Sequence, residues 1–291
     1  MKNILINDTC IFILTYGRAN NQKTLKMLKN FGVEIPIYLV CSDDDNQLQD
    51  YIKLYKDMVQ VFNKKEVAEK TNTIKIIDTE KSVLYARNYV FELARKLKYD
   101  YFIMLDDDYM YIYPFYYRFI DNKYTSSAKG ILHNMLCACV DFMRNTKNVD
   151  CMALAQGGDM QNGLKYSNKA KNYRRKIMNV YFCATDREFK FIGTMNDDVN
   201  TYTLLGLQGK LFFQIPYLVV QQATTQTQKG GLTEIYLEHG TFKKSFSTKV
   251  LAPAICEVAF LKSVGRIHHR INYKGMPRVI SDKYYKNKKA I

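Results

Sequence analysis

Tyr101-Phe-Ile-Met-Leu-Asp-Asp-Asp-Tyr109 is the stretch from which the fold can be read. Its first five residues are apolar without alternation, the pattern of a strand covered on both faces. The strand runs straight into Asp106, Asp107 and Asp108. Ligands of open α/β sheets collect at the carboxyl ends of the strands. Three adjacent carboxylates repel one another unless a cation lies among them. In extended backbone Asp106 and Asp108 point to one side and Asp107 to the other, so the first two are the natural pair for one hard divalent ion. The plain alternative is a solvated acidic turn, and a lone Asp-x-Asp does not decide between the two.

Working outward, residues 11–15, 37–41 and 58–62 read as short apolar strands. Helices are expected up to about Phe31, where Gly32 is the stop, over 47–55, and over 82–98 just before the acidic strand. Residues 64–81 are polar and read as an irregular excursion. The alternation of strand and helix argues for a parallel sheet with helices on both faces. Downstream, 130–145 reads as a helix, 151–155 and 180–185 as strands, and 211–222 as a strand broken at Pro216. The aromatics between Tyr109 and Phe119 read mainly as core.

Composition sets the bounds. The chain has 291 residues, 47% of them hydrophobic, enough for a substantial core. Lys plus Arg is 43 against 28 Asp plus Glu, a net charge of +15, which favours a polyanionic partner. There is no Trp, but there are 23 Tyr and 16 Phe, and Tyr near Lys is the composition of base-stacking surfaces. The seven Cys contain no C-x-x-C pair and read as reduced thiols. The opening Met1–Asp8 has no apolar signal stretch and no apolar run approaches the length of a membrane span, so a cytoplasmic location is expected.

Several polar residues stand out. Arg87 falls on the apolar stripe of its helix, and a guanidinium facing inward needs an anion, either the Asp triplet or a ligand phosphate. Asn88 beside it could hold a ribose or an amide. Asp197 and Asp198 open a helix; one carboxylate serves as a cap, and a second at a cleft could act as general base. His268 and His269 lie between two arginines, where neutral imidazole could join two Asp around Mn2+ or Mg2+. The run Lys165, Lys169, Lys171, Arg174, Arg175, Lys176, with Tyr166 and Tyr173 interleaved, is the first choice for a nucleic-acid surface. The loop ending Lys229-Gly-Gly231 and the basic tail 283–289 are further phosphate candidates.

Taken in order, these pieces resemble a GT-A glycosyltransferase, and more narrowly the phage TET-associated glycosyltransferases that act on DNA. The resemblance runs from Phe12-Ile-Leu-Thr-Tyr-Gly-Arg18 through Ala86-Arg-Asn88, Leu105-Asp-Asp-Asp108 and Asn196-Asp-Asp-Val-Asn-Thr-Tyr202 to Thr227-Gln-Lys-Gly-Gly-Leu-Thr-Glu-Ile-Tyr236 and His268-His-Arg-Ile-Asn-Tyr273. It implies a GT-A-like α/β fold, a mostly parallel Rossmann-like sheet with helices on both faces. Residues 1–120 would form the nucleotide-sugar half and 121–291 an α+β acceptor half with a basic tail. It implies transfer from a UDP-sugar, UDP-glucose foremost, to a 5-hydroxymethylpyrimidine in DNA. Thr15, Gly17, Arg18, Asp43 or Asp44, Arg87, Asn88 and Asp107 would meet the donor. Asp106, Asp108 and His268 or His269 would hold Mn2+ or Mg2+, and Asp197 or Asp198 would be the catalytic carboxylate. Relatives carry Glu-Asp where this chain has Asp197-Asp198, which leaves open which acid reaches the acceptor. Two other readings stand beside this one: the same fold acting on a protein, glycan or lipid, and a nucleic-acid-binding protein without turnover. A nucleotidyltransferase would need a Gly-rich, Lys-bearing turn after the first strand, and Thr15-Tyr-Gly-Arg-Ala19 is not one.

Overall fold

The structure is a computed structural model that describes residues 6–71, 82–114, 128–156, 175–222, 242–262 and 265–277. An eight-stranded sheet runs through it in the order β3-β2-β1-β4-β7-β6-β8-β5. Its strands are β1 (Thr9–Leu14), β2 (Ile37–Ser42), β3 (Val59–Phe62), β4 (Tyr101–Asp106), β5 (Tyr109–Pro114), β6 (Cys151–Gln156), β7 (Asn179–Ala184) and β8 (Phe212–Gln222). The first four are mutually parallel, β7 is antiparallel to β4 and to β6, β6 is parallel to β8, and β5 is antiparallel to β8. The parallel sheet expected from the sequence is therefore its first half. The second half is mixed, and the sheet is mostly parallel.

The helices are α1 (Lys23–Asn30), α2 (Leu48–Tyr55), α3 (Lys64–Lys70), α4 (Leu84–Lys96), α5 (Leu132–Asn145), α6 (Asp197–Leu207) and α7 (Phe242–Leu251). The strands alternate strictly in which layer they feed. Ile11, Ile13, Ile103, Leu105, Val180 and Phe182 join α1, α2 and α5 in one core. Cys10, Phe12, Phe102, Met104, Tyr181 and Cys183 join α4 and α6 in the other. Period-2 side-chain placement makes this obligatory once both faces are covered.

Three local expectations are corrected. The polar excursion begins with a helix, α3, because Asn63 accepts from the Glu66 amide and caps it; Asn63-Lys-Lys-Glu66 is a capping-box spacing. β8 is not broken at Pro216, but its pairing with β6 jumps from Ile215 to Val219, the irregularity that a residue without an amide proton forces. Tyr109, Tyr111 and Tyr113 lie in a strand at the end of the sheet, β5, with Tyr109 buried and Tyr111 exposed, whereas the aromatics at 115–119 lie outside the described residues. A separate hairpin, β9 (Cys256–Leu261) with β10 (Arg266–Ile271), packs against α7. The 165–174 part of the basic run, the 224–231 loop and the tail lie outside the described residues. Among the described residues no helix is long and apolar enough to cross a membrane.

The second core is nucleated by aromatic pairs. Phe91 of α4 meets Phe102 edge-on at 4.9 Å and Phe189 at 5.3 Å, and none of the three is appreciably exposed. Phe91→Ala is expected to cost about 3–5 kcal/mol. Denaturant unfolding monitored by circular dichroism checks it; a change below about 1 kcal/mol would show that α4 does not depend on this contact.

Candidate active site

The carboxyl ends of β1, β2 and β4 lie side by side, and the turns that follow them are tied together. Thr15 Oγ1 lies 2.6 Å from the Tyr51 hydroxyl, donates to Asp107 Oδ2 at 2.7 Å and accepts from Gln22 Nε2 at 2.8 Å. The Gly17 amide donates to Asp45 Oδ2 at 2.8 Å, and the Arg18 amide to the Tyr51 hydroxyl at 2.8 Å. Gly17 has φ of +66° and open space where a side chain would go, so the left-handed backbone alone accounts for glycine there. The turn after β4 hangs on α1: Thr24 Oγ1 donates to the Asp106 carbonyl at 2.6 Å and accepts from the Tyr109 amide at 2.9 Å.

The acidic triplet is divided by the pleat. Asp107 turns to the α1 side, buried, where Arg18 and Thr15 bond its two oxygens. Burial pushes its acidity down, and Arg18 opposes this. Asp106 turns to the α4 side. One of its oxygens accepts from Arg87 Nη2 at 3.4 Å and the other from the Tyr109 hydroxyl at 3.2 Å. Asp108 differs from both, because its Oδ1 is buried with no hydrogen-bond partner. Burial first, then the charges of Asp106 and Asp107, push its pKa up to about 6. An orphaned anionic oxygen beside a second carboxylate is the donor set a hard cation takes, so Asp106 and Asp108 fit a divalent ion.

Arg87 connects this cluster to the second acidic pair. It is 5% exposed, Nη1 donates to Asp197 Oδ2 at 2.8 Å, and its guanidinium lies over the rings of Tyr181 and Phe191 at 5.1 and 5.5 Å. The inward guanidinium expected on α4 thus finds protein carboxylates. One cation between two carboxylates leaves a surplus negative charge. With burial as the larger cause, that surplus holds Asp197 above the ordinary carboxylate range. Asp197 and Asp198 form the first turn of α6, and the cap is Asn196, in left-handed backbone at φ 53°. Asp197 is consumed by Arg87; Asp198 is half-buried and uses one oxygen on the Val199 amide at 2.7 Å.

Other expected residues are placed differently. Asn88 spends both ends of its amide on the backbone of Phe191, at 2.7 and 3.3 Å. Asp43 accepts from the Lys64 amide at 3.0 Å, and Asp44 pairs with the Lys64 ammonium at 2.7 Å. The buried acid at the end of β2 that reaches the Gly17 turn is Asp45, which the sequence reading passed over, as it did Tyr51 and Thr24. Among the described residues no group of three or more His, Cys, Asp or Glu side chains is placed to hold a metal ion, so neither His268 nor His269 is seen beside Asp106 and Asp108. The two His rings lie on β10 with centroids 4.3 Å apart, and His269 Nδ1 is 3.4 Å from Asn196 Nδ2. Burial, then the neighbouring His268, Lys244 and Lys176, push the His269 pKa down to about 3.

A sheet with paired turns at its carboxyl edge and an acid cluster fit for a cation defines an α/β enzyme acting on a ligand at the strand ends. A model of the TET-associated glycosyltransferases matches residues 9–231, and the chain belongs to that family. No curated protein matches the sequence. Among solved structures, it is similar to glucosyl-3-phosphoglycerate synthase from Mycobacterium tuberculosis with Mg2+ and UDP. Identity there is 10%, over 91% of this chain and 90% of that one, with a TM-score of 0.47. GalNAc-T7 with UDP, GalNAc and Mn2+ is similar at 10% identity, over 74% and 43% of the two chains, with a TM-score of 0.41. These likenesses are too distant to assign a substrate.

Two measurements check the electrostatics. Arg87→Met leaves the buried Asp197 carboxylate without its cation and should cost about 3–5 kcal/mol near pH 7.5, and clearly less near pH 5, where Asp197, with its pKa raised to about 6, takes up a proton. Equal loss at both pH values would show that the guanidinium does not hold that carboxylate. Asp108 has a raised folded pKa, so its contribution to stability is present below pH 4 and lost as pH rises through about 6. Asp108→Asn should therefore raise the melting temperature of the metal-free protein at pH 8 but not at pH 4. Adding Mn2+ at pH 8 should stabilise the wild type and not the variant. A variant stabilised by Mn2+ as strongly as the wild type would remove Asp108 from the cation site.

Proposed function

We propose that this glycosyltransferase moves a sugar from a UDP-sugar, UDP-glucose foremost, to a 5-hydroxymethylpyrimidine in DNA, in the cytoplasm, that of the host cell if the chain is phage-encoded. The observation that carries the donor half is the buried, partnerless Asp108 oxygen beside Asp106, in a chain of this family. Asp106 and Asp108 would hold Mn2+ or Mg2+, which when bound offsets the charge that grows on a departing diphosphate. The acceptor half is supported by the TET association that the family's name carries and by the net charge of +15.

The chain's own residues divide the work. Arg87 fixes Asp106 and Asp197 relative to each other, so Asp197 orients and Asp198 remains to take the proton from the acceptor hydroxyl. The acceptor oxygen then forms its bond to the anomeric carbon as the bond to the diphosphate breaks. A base on the face opposite the leaving group would give inversion; without a carboxylate placed for in-line attack, retention is the alternative. Thr15, Arg18 and Asp107 hold the β1 turn as one side of the donor cleft.

The experiment supplies purified protein and Mn2+ or Mg2+ with radiolabelled UDP-sugars and either hydroxymethylated or unmodified DNA. Label should enter only the hydroxymethylated DNA. Asp198→Asn should lower kcat by about 100-fold or more with UDP affinity kept. Transfer to a glycan or lipid fraction instead would retain the enzyme and replace the acceptor. Absence of transfer from every UDP donor would overturn the proposal.

A further inference from the structure

Helix α7 is built inside out. The side chains it buries are Ser245, Ser247 and Thr248, with Ala252 just beyond its end, and the hydroxyls bond to Ile267 O at 3.1 Å, Lys244 O at 2.9 Å and Asn200 Oδ1 at 2.7 Å. The side chains it presents outward are Phe242, Phe246 and Val250, exposed by 55%, 36% and 66%. Spaced by four, they form one stripe along the helix, and the two rings touch at a centroid distance of 4.5 Å. At 3.6 residues per turn, Lys243 and Lys249 flank the stripe on its two sides. An apolar stripe turned to water is unfavourable unless something covers it.

Charge says what covers it. Across the described residues 242–277, seven Lys and Arg face a single acid, Glu257. Arg266 and Arg270 on β10 are exposed. Aromatic rings edged by cations and poor in carboxylates suit a nucleic-acid strand: bases stack on the rings, and phosphates meet the cations. A protein partner would need acidic side chains at each of these points, whereas a polynucleotide carries the charge at every step.

The helix that carries the stripe adjoins the acids through its buried side. Asn196, which precedes Asp197 and Asp198, donates from Nδ2 to the Lys244 carbonyl of α7 at 2.7 Å and lies 3.4 Å from His269 of β10. We infer that α7 and the β9–β10 hairpin form the surface on which the acceptor strand lies, its bases against Phe242 and Phe246, with the target base delivered to Asp198. This rests on the DNA-acceptor reading proposed above, and it adds a surface other than the 165–176 run.

The test is fluorescence anisotropy of a labelled single-stranded oligonucleotide across a salt series, with the full chain. Phe242→Ser combined with Phe246→Ser should weaken binding by about tenfold or more without changing the salt slope. Lys243→Gln combined with Arg266→Gln should flatten the slope by about 1–2. Melting temperature and UDP affinity should stay at wild-type values in both. If the wild type binds and glycosylates DNA and both double variants bind it equally well, the surface is wrong and the acceptor reading stands. If the wild type turns over a UDP-sugar and binds no DNA even at low salt, both fall. A wild-type dimer in sedimentation that the double Phe variant dissolves would assign the stripe to a second copy and overturn the inference.

Discussion

One guanidinium held between two carboxylates is the constraint on which the rest of the site depends. Arg87 is the only side chain seen to touch both Asp106, at the end of β4, and Asp197, at the start of α6, among the described residues. The two acids come from parts of the chain that are ninety residues apart by number, and each is useful only at a fixed distance from the other. A buried ion pair of this kind is a poor source of stability, because desolvation takes back most of the attraction. What it supplies is geometry. The rings of Tyr181 and Phe191 close over the guanidinium, keep water out and make any other partner costly.

The same logic separates three acids that are adjacent in sequence. The strand's pleat sends Asp107 to one layer and Asp106 to the other, and each meets an arginine there, Arg18 and Arg87. Asp107 is thus paired with an arginine of its own, and Asp106 shares one with Asp197. Asp108 sits in the turn, beyond the reach of the pleat, and keeps a buried oxygen that no protein donor satisfies. The triplet is therefore not three equivalent ligands. Two acids define a frame, and the third keeps an oxygen unused by the protein.

The strand pattern and the acid cluster were legible in the sequence because both are local: uninterrupted apolar residues, then charge, need no knowledge of neighbours. The inward-facing Arg87 was legible as a misfit on its helix, but its partners were not, since Asp197 is brought to it only by the tertiary fold. Asp45 was hidden beside Asp43 and Asp44; three like residues in a row give no sign of which one turns inward until Gly17 and Gln47 are placed against it. His268 and His269 read as ligands by type, and their surroundings, Lys176 and Lys244 among them, are visible only once β10 lies beside α7. The outward Phe stripe of α7 escaped notice for the opposite reason: an i, i+4, i+8 apolar spacing ordinarily marks the buried face.

The polyanionic acceptor proposed above would pose a conflict, because carboxylates repel phosphates. In the described structure the acids gather at the ends of β2 and β4 and the start of α6, whereas the cations gather on α7 and the hairpin that packs against it. Asn196 is the joint between the two territories: its left-handed backbone turns the chain into α6, and its amide holds α7. A neutral side chain suits that place, because an acid there would extend the negative territory toward α7 and a base would pair with Asp197 or Asp198, the carboxylates proposed above for the reaction. The neutral His269 ring beside it follows the same rule, held uncharged by burial and by the lysines around it. The sign of the charge changes across one uncharged residue, the separation that the proposed phosphate backbone and carboxylate base would need in order to stand side by side without neutralising each other.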